Sequence, residues 1–221
     1  YWDSVPYLTG LEFWFYPDWE SLLADYGQGA IHGFHPPEVE YLPDLATQPG
    51  LQIYSAESSG YGTVFLNLAS DATPFFQQVE VRQALLYALD RQRLIDRHLY
   101  GQGLVANSPI PPMMWAHDSA VRQYGYDPER AIGLLDQSEW LDSNGDRIRD
   151  REGADLAFTL QVVDKPAMVG LASGMAEQWA AVGIDVTVRP VESDDLVDDL
   201  RSRQFDAALV EVLLTGDLDP Y

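Results

Sequence analysis

The chain lacks cysteine and is poor in positive charge and in long apolar runs. Without cysteine, disulfide scaffolds, thiolate zinc sites and cysteine nucleophiles are excluded. Lys and Arg total 13 against 35 Asp and Glu, for a net charge of -22. A field of that sign repels nucleic-acid phosphates and anionic membrane surfaces. The longest apolar run, Ala207 to Leu214, is interrupted by Glu211 and is far shorter than the ~20 residues of a membrane span.

The composition is that of a folded protein, and the ends are those of an excised piece. Of 221 residues, 46% are hydrophobic and 12% are aromatic, which excludes global disorder. The sequence begins at Tyr1 rather than at Met, shows no signal peptide or lipobox, and ends soon after an apolar run. We therefore expect an internal fragment of a longer protein, and the missing targeting signals say nothing about location.

The final third alternates between strand and helix patterns. Strand patterns occupy residues 156–163, 184–191 and 205–214, and helix patterns occupy 166–182 and 193–201. Gly183 is expected to end the first helix and Ser193 to cap the second. This β-α-β-α-β order predicts an α/β fold, with one sheet layered with helices and right-handed crossovers between parallel strands. The nearly continuous apolar run of the last strand predicts a buried central strand.

The first two thirds read as strands and helices joined by a long loop. Strand patterns occupy residues 11–16, 51–55 and 61–68, and helix patterns begin at Asp18, Pro74 and Pro128. Asp18 and Asp127 are expected to act as helix caps, and Asp90 is expected to begin a new helix within residues 74–99. Residues 101–115, which contain three prolines, predict a stiffened loop ending at Trp115.

Two groups of side chains, one of Asp and Asn and one of His and Glu, have the sequence spacing of metal-binding sites. Asp142, Asn144 and Asp146 resemble the start of a calcium loop. Such a loop requires Gly at its sixth position and Glu at its twelfth, where this chain has Arg147 and Gly153, so a turn is favoured. His32 and His35, with Glu38 nearby, could hold a metal, but the adjacent Gly and Pro favour a surface loop. We expect no metal and no cofactor, and the many carboxylates do not single out a catalytic pair.

An acidic turn directly follows the last predicted strand. Thr215, Gly216 and Asp217 come just after Leu214 and precede Asp219-Pro220. In open α/β sheets ligands gather beyond the carboxyl ends of strands, so Asp217 could pair with a ligand cation. The same residues also suit an ordinary turn, and both interpretations remain open on position alone.

An ordered set of short motifs resembles the family 5 bacterial solute-binding proteins, the dipeptide-, oligopeptide- and nickel-binding components of ABC importers. The motifs, in chain order, are Tyr1-Trp2, Pro6-Tyr7-Leu8, Phe65-Leu66-Asn67-Leu68, Pro74-Phe75, Val81-Arg82-Gln83-Ala84-Leu85, Tyr87-Ala88-Leu89-Asp90-Arg91, Gly101-Gln102-Gly103, Ser108-Pro109-Ile110-Pro111-Pro112, Tyr126-Asp127-Pro128-Glu129, Leu134-Leu135-Asp136, Trp140, Asp142, Asn144-Gly145-Asp146, Trp179, Gly183-Ile184, Phe205-Asp206 and Gly216-Asp217, with Asp219-Pro220. They span nearly the whole chain.

The resemblance implies a type II periplasmic-binding-protein fold and a receptor rather than an enzyme. Residues 1–66 would be a partial segment of the first lobe, and residues 67–221 most of the second, with its C-terminal end missing. The full-length protein would bind peptides outside the cytoplasm, in the periplasm or at the cell surface. It would be a monomeric lipoprotein anchored to the membrane, and it would deliver the solute to ABC permease subunits.

The resemblance also points to ligand contacts. In peptide-binding members an Asp before the Asp-Pro turn pairs with the ligand's α-amine, and the matching position is Asp217, flanked by Gly216 and Thr215. Peptide binders often carry a Trp before this acid, where this chain has Leu. Lys165 is our candidate for a ligand carboxylate, and Trp115 is either a cleft residue or a core residue. A receptor for an oligosaccharide or a metal chelate, or a secreted hydrolase, is the alternative.

Overall fold

The structure is a computed structural model that describes residues 8–35, 38–57, 60–112 and 114–214. Within these ranges the α-helices are α1 (Trp19–Gly27), α2 (Leu42–Ala46), α3 (Val79–Tyr87), α4 (Arg91–His98), α5 (Pro128–Gln137), α6 (Pro166–Ala180) and α7 (Ser193–Ser202). The strands there are β1 (Gly60–Leu66), β2 (Asp150–Arg151), β3 (Ala154–Asp155), β4 (Ala157–Val163), β5 (Asp185–Val191) and β6 (Ala207–Leu213). None of the helices in the described ranges has the length and apolarity needed to cross a bilayer.

One mixed sheet contains all strands of the predicted β-α-β-α-β run. Its order is β1-β6-β4-β5, with β4 parallel to both β5 and β6, and β1 antiparallel to β6. Helix α6 joins β4 to β5 and packs on both strands, and α7 follows β5 and packs on β4. The predicted α/β architecture is therefore confirmed. The short strands β2 and β3 pair with each other outside this sheet.

The apolar face of β4 lies at the centre of the core. Its side chains are at most 5% exposed and include Leu156, just before the strand, with Phe158, Leu160 and Val162. The Phe158 ring contacts the rings of Phe76 and Trp179, with centroids 5.1 and 5.6 Å apart. The indole N–H of Trp179 donates to the carbonyl oxygen of Leu85 at 2.9 Å. Helices α3 and α6 are thus joined over the same face of the sheet.

The helical region predicted between Pro74 and Leu99 is divided into three pieces. A 3₁₀ turn covers Pro74–Gln77, and α3 and α4 follow. The chain is extended at Gln78 and leaves helical geometry at Asp90, whose carboxylate accepts the backbone N–H of Arg93 as the expected cap. Apolar side chains of this region, as predicted, are buried in the core: Val81, Leu85 and Leu89.

The predicted helix starts are confirmed at Asp18 and Asp127 and wrong at Ser193. The Asp18 and Asp127 carboxylates accept backbone N–H groups of the first helical turn at 2.8 and 2.9 Å. Helix α7 instead has Glu192 as its extended N-cap residue, without a side-chain hydrogen bond, and Ser193 is its first helical residue. Because β5 continues to Val191, only Glu192 is left to make the change from extended to helical backbone.

Two predicted strands are irregular, and one predicted buried strand is buried over only part of its length. Residues 11–16 and 51–55 pair with no strand in the described ranges, and the Phe15 and Tyr54 side chains are 95% and 86% exposed. Alternating aromatic residues form a strand only when a neighbouring edge accepts their backbone hydrogen bonds. Strand β6 has the central position expected, but only residues 207–209 are buried, and Leu213 is 72% exposed.

Close packing of α4 on α6 depends on glycine. A Cβ atom at Gly174 would lie 2.7 Å from His98 Nε2 and 2.8 Å from Leu94 Cδ2. The Gly174→Ala substitution is therefore expected to lower the free energy of unfolding by about 1–3 kcal/mol through overpacking. Gly133→Ala in α5 has no heavy atom within 4 Å of the new Cβ and should raise it by up to about 1 kcal/mol. Urea unfolding of both variants tests this, and equal midpoints would contradict it.

Candidate functional site

The carboxyl ends of β4, β5 and β6 lie along the same side of the sheet, called here its carboxyl edge, because the three strands run in the same direction. Strands β4 and β5 end level with each other at the paired residues Val163 and Val191. Strand β6 is longer at this edge, since Leu209 is already level with Val162 and the strand continues to Leu213. At ~3.3 Å per residue, β6 projects roughly 10 Å beyond the end of β4.

Strand β1 accompanies β6 along this projection. Gly60, the first residue of β1, is the register partner of Leu213. A Cβ atom at Gly60 would lie 2.8 Å from Leu213 Cδ2 and 3.1 Å from the Val212 carbonyl oxygen, so a larger residue here would displace the Leu213 side chain and crowd the backbone of β6. The predicted ligand residues Thr215, Gly216 and Asp217 follow directly and lie outside the described residues. Their role remains a prediction.

Lys165 lies at the same edge of the sheet, between β4 and α6. Its backbone N–H donates to the Val163 carbonyl oxygen at 2.7 Å and its carbonyl oxygen accepts from Val169 N at 2.9 Å. The residue occupies the N-cap position of α6, where its side chain makes no capping hydrogen bond. The residue is exposed, as a ligand contact or a solvated lysine would be.

Trp115 is a surface residue, with 74% of its side chain exposed. Trp115 is therefore not part of the core that the described residues form. The loop around it is shaped by a hydrogen bond from His117 N to the Met114 carbonyl oxygen, and by one between His117 Nδ1 and the Ile110 carbonyl oxygen at 2.7 Å. No hydrogen bond or ring contact in the described part of the chain joins Trp115 to Lys165.

Arg91 anchors the loop that carries Trp115, a role that the sequence analysis missed. Its guanidinium donates to the carbonyl oxygens of Ala106 and Tyr124, each at 2.7 Å, and to the Asn107 side chain at 3.0 Å. Burial lowers the pKa of this guanidinium below its usual value. Both sides of the loop are therefore held by one side chain. The only sequence signal was the place of Arg91 at the end of the family-like motif.

Asn67, another residue of the family-like motifs, joins the end of β1 to the turn before β6. The side chain is 8% exposed, and its Nδ2 donates to the carbonyl oxygens of Arg203 and Phe205 at 3.1 and 2.9 Å. Asp206, in the same turn, accepts the backbone N–H of Thr159 in β4 at 3.0 Å. These contacts position the base of the strand whose far end leads to Asp217.

The Asp142–Asp150 segment is hydrogen-bonded as a turn. The Asp142 carboxylate accepts the backbone N–H groups of Gly145 and Arg147 at 2.7 and 3.1 Å. The Ser143 hydroxyl and backbone N–H both donate to the Asp150 carboxylate, and the hydroxyl contributes most to holding its pKa below the usual value. These hydrogen bonds are those of a turn, as the sequence predicted.

The histidines at 32 and 35 are exposed and lie in irregular backbone, as the surface-loop interpretation predicts. Among residues 8–35, 38–57, 60–112 and 114–214, no group of three or more His, Asp or Glu side chains is arranged to hold a metal ion.

Comparison with known proteins assigns a family to this arrangement. Residues 1–221 match the family described as bacterial extracellular solute-binding proteins, family 5 Middle. The oligopeptide-binding protein AppA of Bacillus subtilis (strain 168) is 29% identical over 226 residues, covering 100% of this chain and 41% of AppA. The heme-binding protein A of Haemophilus influenzae (strain ATCC 51907 / DSM 11121 / KW20 / Rd) is 28% identical over 187 residues, covering 83% of this chain and 32% of that protein.

A solved structure extends the likeness to three dimensions. The structure of AppA from Bacillus subtilis in complex with a nonapeptide matches with a TM-score of 0.73 at 28% identity, covering 88% of this chain and 39% of AppA. The match confirms the expected type II periplasmic-binding-protein fold, and the chain spans about two fifths of AppA's length. From the family match over all 221 residues and the shared fold, we conclude that the chain belongs to the bacterial extracellular solute-binding proteins of family 5.

Proposed function

We propose that the full-length gene product is the extracytoplasmic substrate-binding component of an ABC importer and that it binds peptides. The observation that carries this proposal is the similarity to the oligopeptide-binding AppA over the entire chain. In this role the protein is a receptor and not an enzyme. It delivers its solute to permease subunits in the membrane, acts as a monomer, and is held at the membrane by a lipid anchor outside these 221 residues.

The proposed mechanism is ligand-dependent closure of two lobes. Residues 1–66 contribute to the first lobe and residues 67–221 to the second. Strand β1, at the end of the first segment, joins the sheet of the second segment by pairing with β6. The chain therefore enters this sheet at Gly60 and leaves it at Leu213 side by side, which is the geometry of a paired connection between two lobes. A peptide that contacts both lobes shifts the population toward the closed form, and the closed form docks on the permease.

The proposed ligand contacts lie at the carboxyl edge of the sheet. Asp217, with Gly216 and Thr215 beside it, receives the α-ammonium group of the peptide. Lys165 lies at the same edge and has the charge to pair with a peptide carboxylate. Trp115, which is exposed on the loop held by Arg91, offers a flat apolar face to a peptide side chain.

A receptor for a metal chelate is the second candidate, favoured by the similarity to a heme-binding protein. Native mass spectrometry of the full-length protein purified from its own host separates the two. We expect a series of co-purified masses that fragment as peptides, since a transport receptor for peptides tolerates many sequences. A single mass with the isotope pattern of a metal would contradict the peptide proposal. The same protein, unfolded to release its ligand and then refolded, is the matched control.

A further inference from the structure

The carboxylate of Glu40 caps a helix that lies far away in the sequence. Glu40 Oε1 accepts the backbone N–H of Ala167, in the first turn of α6, at 2.7 Å across 127 residues of chain. The N-cap residue of α6, Lys165, supplies no side-chain hydrogen bond. The unpaired N–H groups and positive dipole at a helix start favour a carboxylate there. Glu40 therefore takes the place of a local cap.

Glu40 belongs to a segment with its own small aromatic cluster. The next residue, Tyr41, stacks against Trp19 of α1 with ring centroids 5.0 Å apart. Phe34 contacts both Trp19 and Tyr26, at 5.5 and 5.1 Å. None of these four rings belongs to the core cluster formed by the helices and sheet of the described residues after Gly60. The segment that carries Glu40 is thus tied to itself by apolar contacts.

Two hydrogen bonds join this segment to distant parts of the chain. Beside the Glu40 contact, the Ser55 hydroxyl donates to Gln102 Oε1 at 2.7 Å in an exposed setting. In the described part of the chain, neither α1 nor α2 packs extensively against α3–α7. Polar contacts of this kind can break and re-form at small cost, because water replaces each lost hydrogen bond.

We propose that the hydrogen bond between Glu40 and the start of α6 is an interlobe contact that stabilises the closed arrangement of the lobes. The proposal rests on the division into lobes at residues 66 and 67 given above. Glu40 is a positioning residue: it contacts α6 and not the ligand. Opening the lobes breaks the bond and exposes both groups to water, so that the contact biases the equilibrium before any ligand binds.

The test measures the distance between the lobes in the ligand-free, full-length gene product. Glu20→Cys on α1 and Asp195→Cys on α7, both exposed positions, carry the spin labels. The 221 residues contain no other cysteine, and any cysteine elsewhere in the full-length protein is replaced by serine. With Glu40 intact we expect a short and a long distance population. Glu40→Ala is expected to lower the ratio of short to long about fivefold, the size of one charge-assisted hydrogen bond at a helix start. Glu40→Gln, which keeps the acceptor oxygen, should fall between.

The matched control is Glu38→Ala. Glu38 is exposed, lies two residues away, and makes no capping hydrogen bond with its side chain, so its removal should leave the distances unchanged. The proposal is overturned by one unchanged distance population in Glu40→Ala, by an equal shift in Glu38→Ala, or by a lower melting temperature without any change in distance. Because no ligand is present, these outcomes are independent of whether peptides co-purify with the protein.

Discussion

Asp217→Asn in the full-length gene product is expected to weaken peptide binding by at least a hundredfold. The substitution keeps the shape of the side chain and removes its charge. If the peptide's α-ammonium group is held in a closed, water-poor cleft, it then stays buried without its counter-charge, at a cost of about 3–5 kcal/mol. Each ~1.4 kcal/mol corresponds to a tenfold change in the dissociation constant. Isothermal titration calorimetry with a peptide identified by mass spectrometry measures the effect.

Two controls separate a ligand contact from a turn. Asp219→Asn, next to Pro220, is expected to change affinity far less, because an Asp before Pro suits a turn. Acetylation of the peptide's amine should weaken binding to the unmodified protein as much as Asp217→Asn does, and should add little in the variant. Full additivity of the two changes, or normal binding by Asp217→Asn, would show that Asp217 does not hold the amine.

Asn67→Ala is expected to lower the free energy of unfolding by about 2–4 kcal/mol. The substitution leaves the carbonyl oxygens of Arg203 and Phe205 without the donor that Asn67 Nδ2 supplies. Losing a hydrogen bond of a buried side chain costs about 1–2 kcal/mol, and Asn67, which makes both bonds, is only 8% exposed. Urea unfolding followed by the fluorescence of buried tryptophans such as Trp179 reports the change.

Asn144→Ala is the matched control for this substitution. Asn144 is exposed, and its side chain makes hydrogen bonds with Asp146 in the same turn, at 2.8 and 2.9 Å. Its removal should cost less than about 1 kcal/mol, as for most surface substitutions. Similar unfolding midpoints for Asn67→Ala and Asn144→Ala would refute the role assigned to Asn67.

The position of the candidate site follows from the order of strands along the chain, whereas the role of its residues follows from the family resemblance. Strand order along the chain placed Thr215, Gly216 and Asp217 after β6, and the family resemblance supplied the role of Asp217. The structure adds that β6 projects beyond β4 with β1 beside it. It also leaves Trp115 outside the core of the described residues, which apolar character alone could not tell, because a lone Trp in a loop suits either place.

What the sequence by itself determined are the elements whose signals are local. The caps at Asp18, Asp90 and Asp127 act over three residues, and Gly183 adopts the left-handed backbone expected after a helix, with φ of 87°. The apolar alternation of residues 156–163 also needs no distant partner to be recognised. These features suffice for an α/β assignment, because each follows from neighbouring residues and the helix and strand periods.

Only the tertiary structure decided which distant segments meet. The antiparallel position of β1 at the edge beside β6, the hydrogen bonds of Asn67 across 136 and 138 residues, and the contact of Glu40 with α6 across 127 residues join parts of the chain with no local signal in common. The same dependence explains why residues 11–16 were wrongly predicted as a strand. A strand or a capping carboxylate is stabilised by the hydrogen-bonding groups that lie next to it in the folded structure. Backbone N–H and C=O groups are present at every non-proline residue, so the sequence does not show which of them will be the partners.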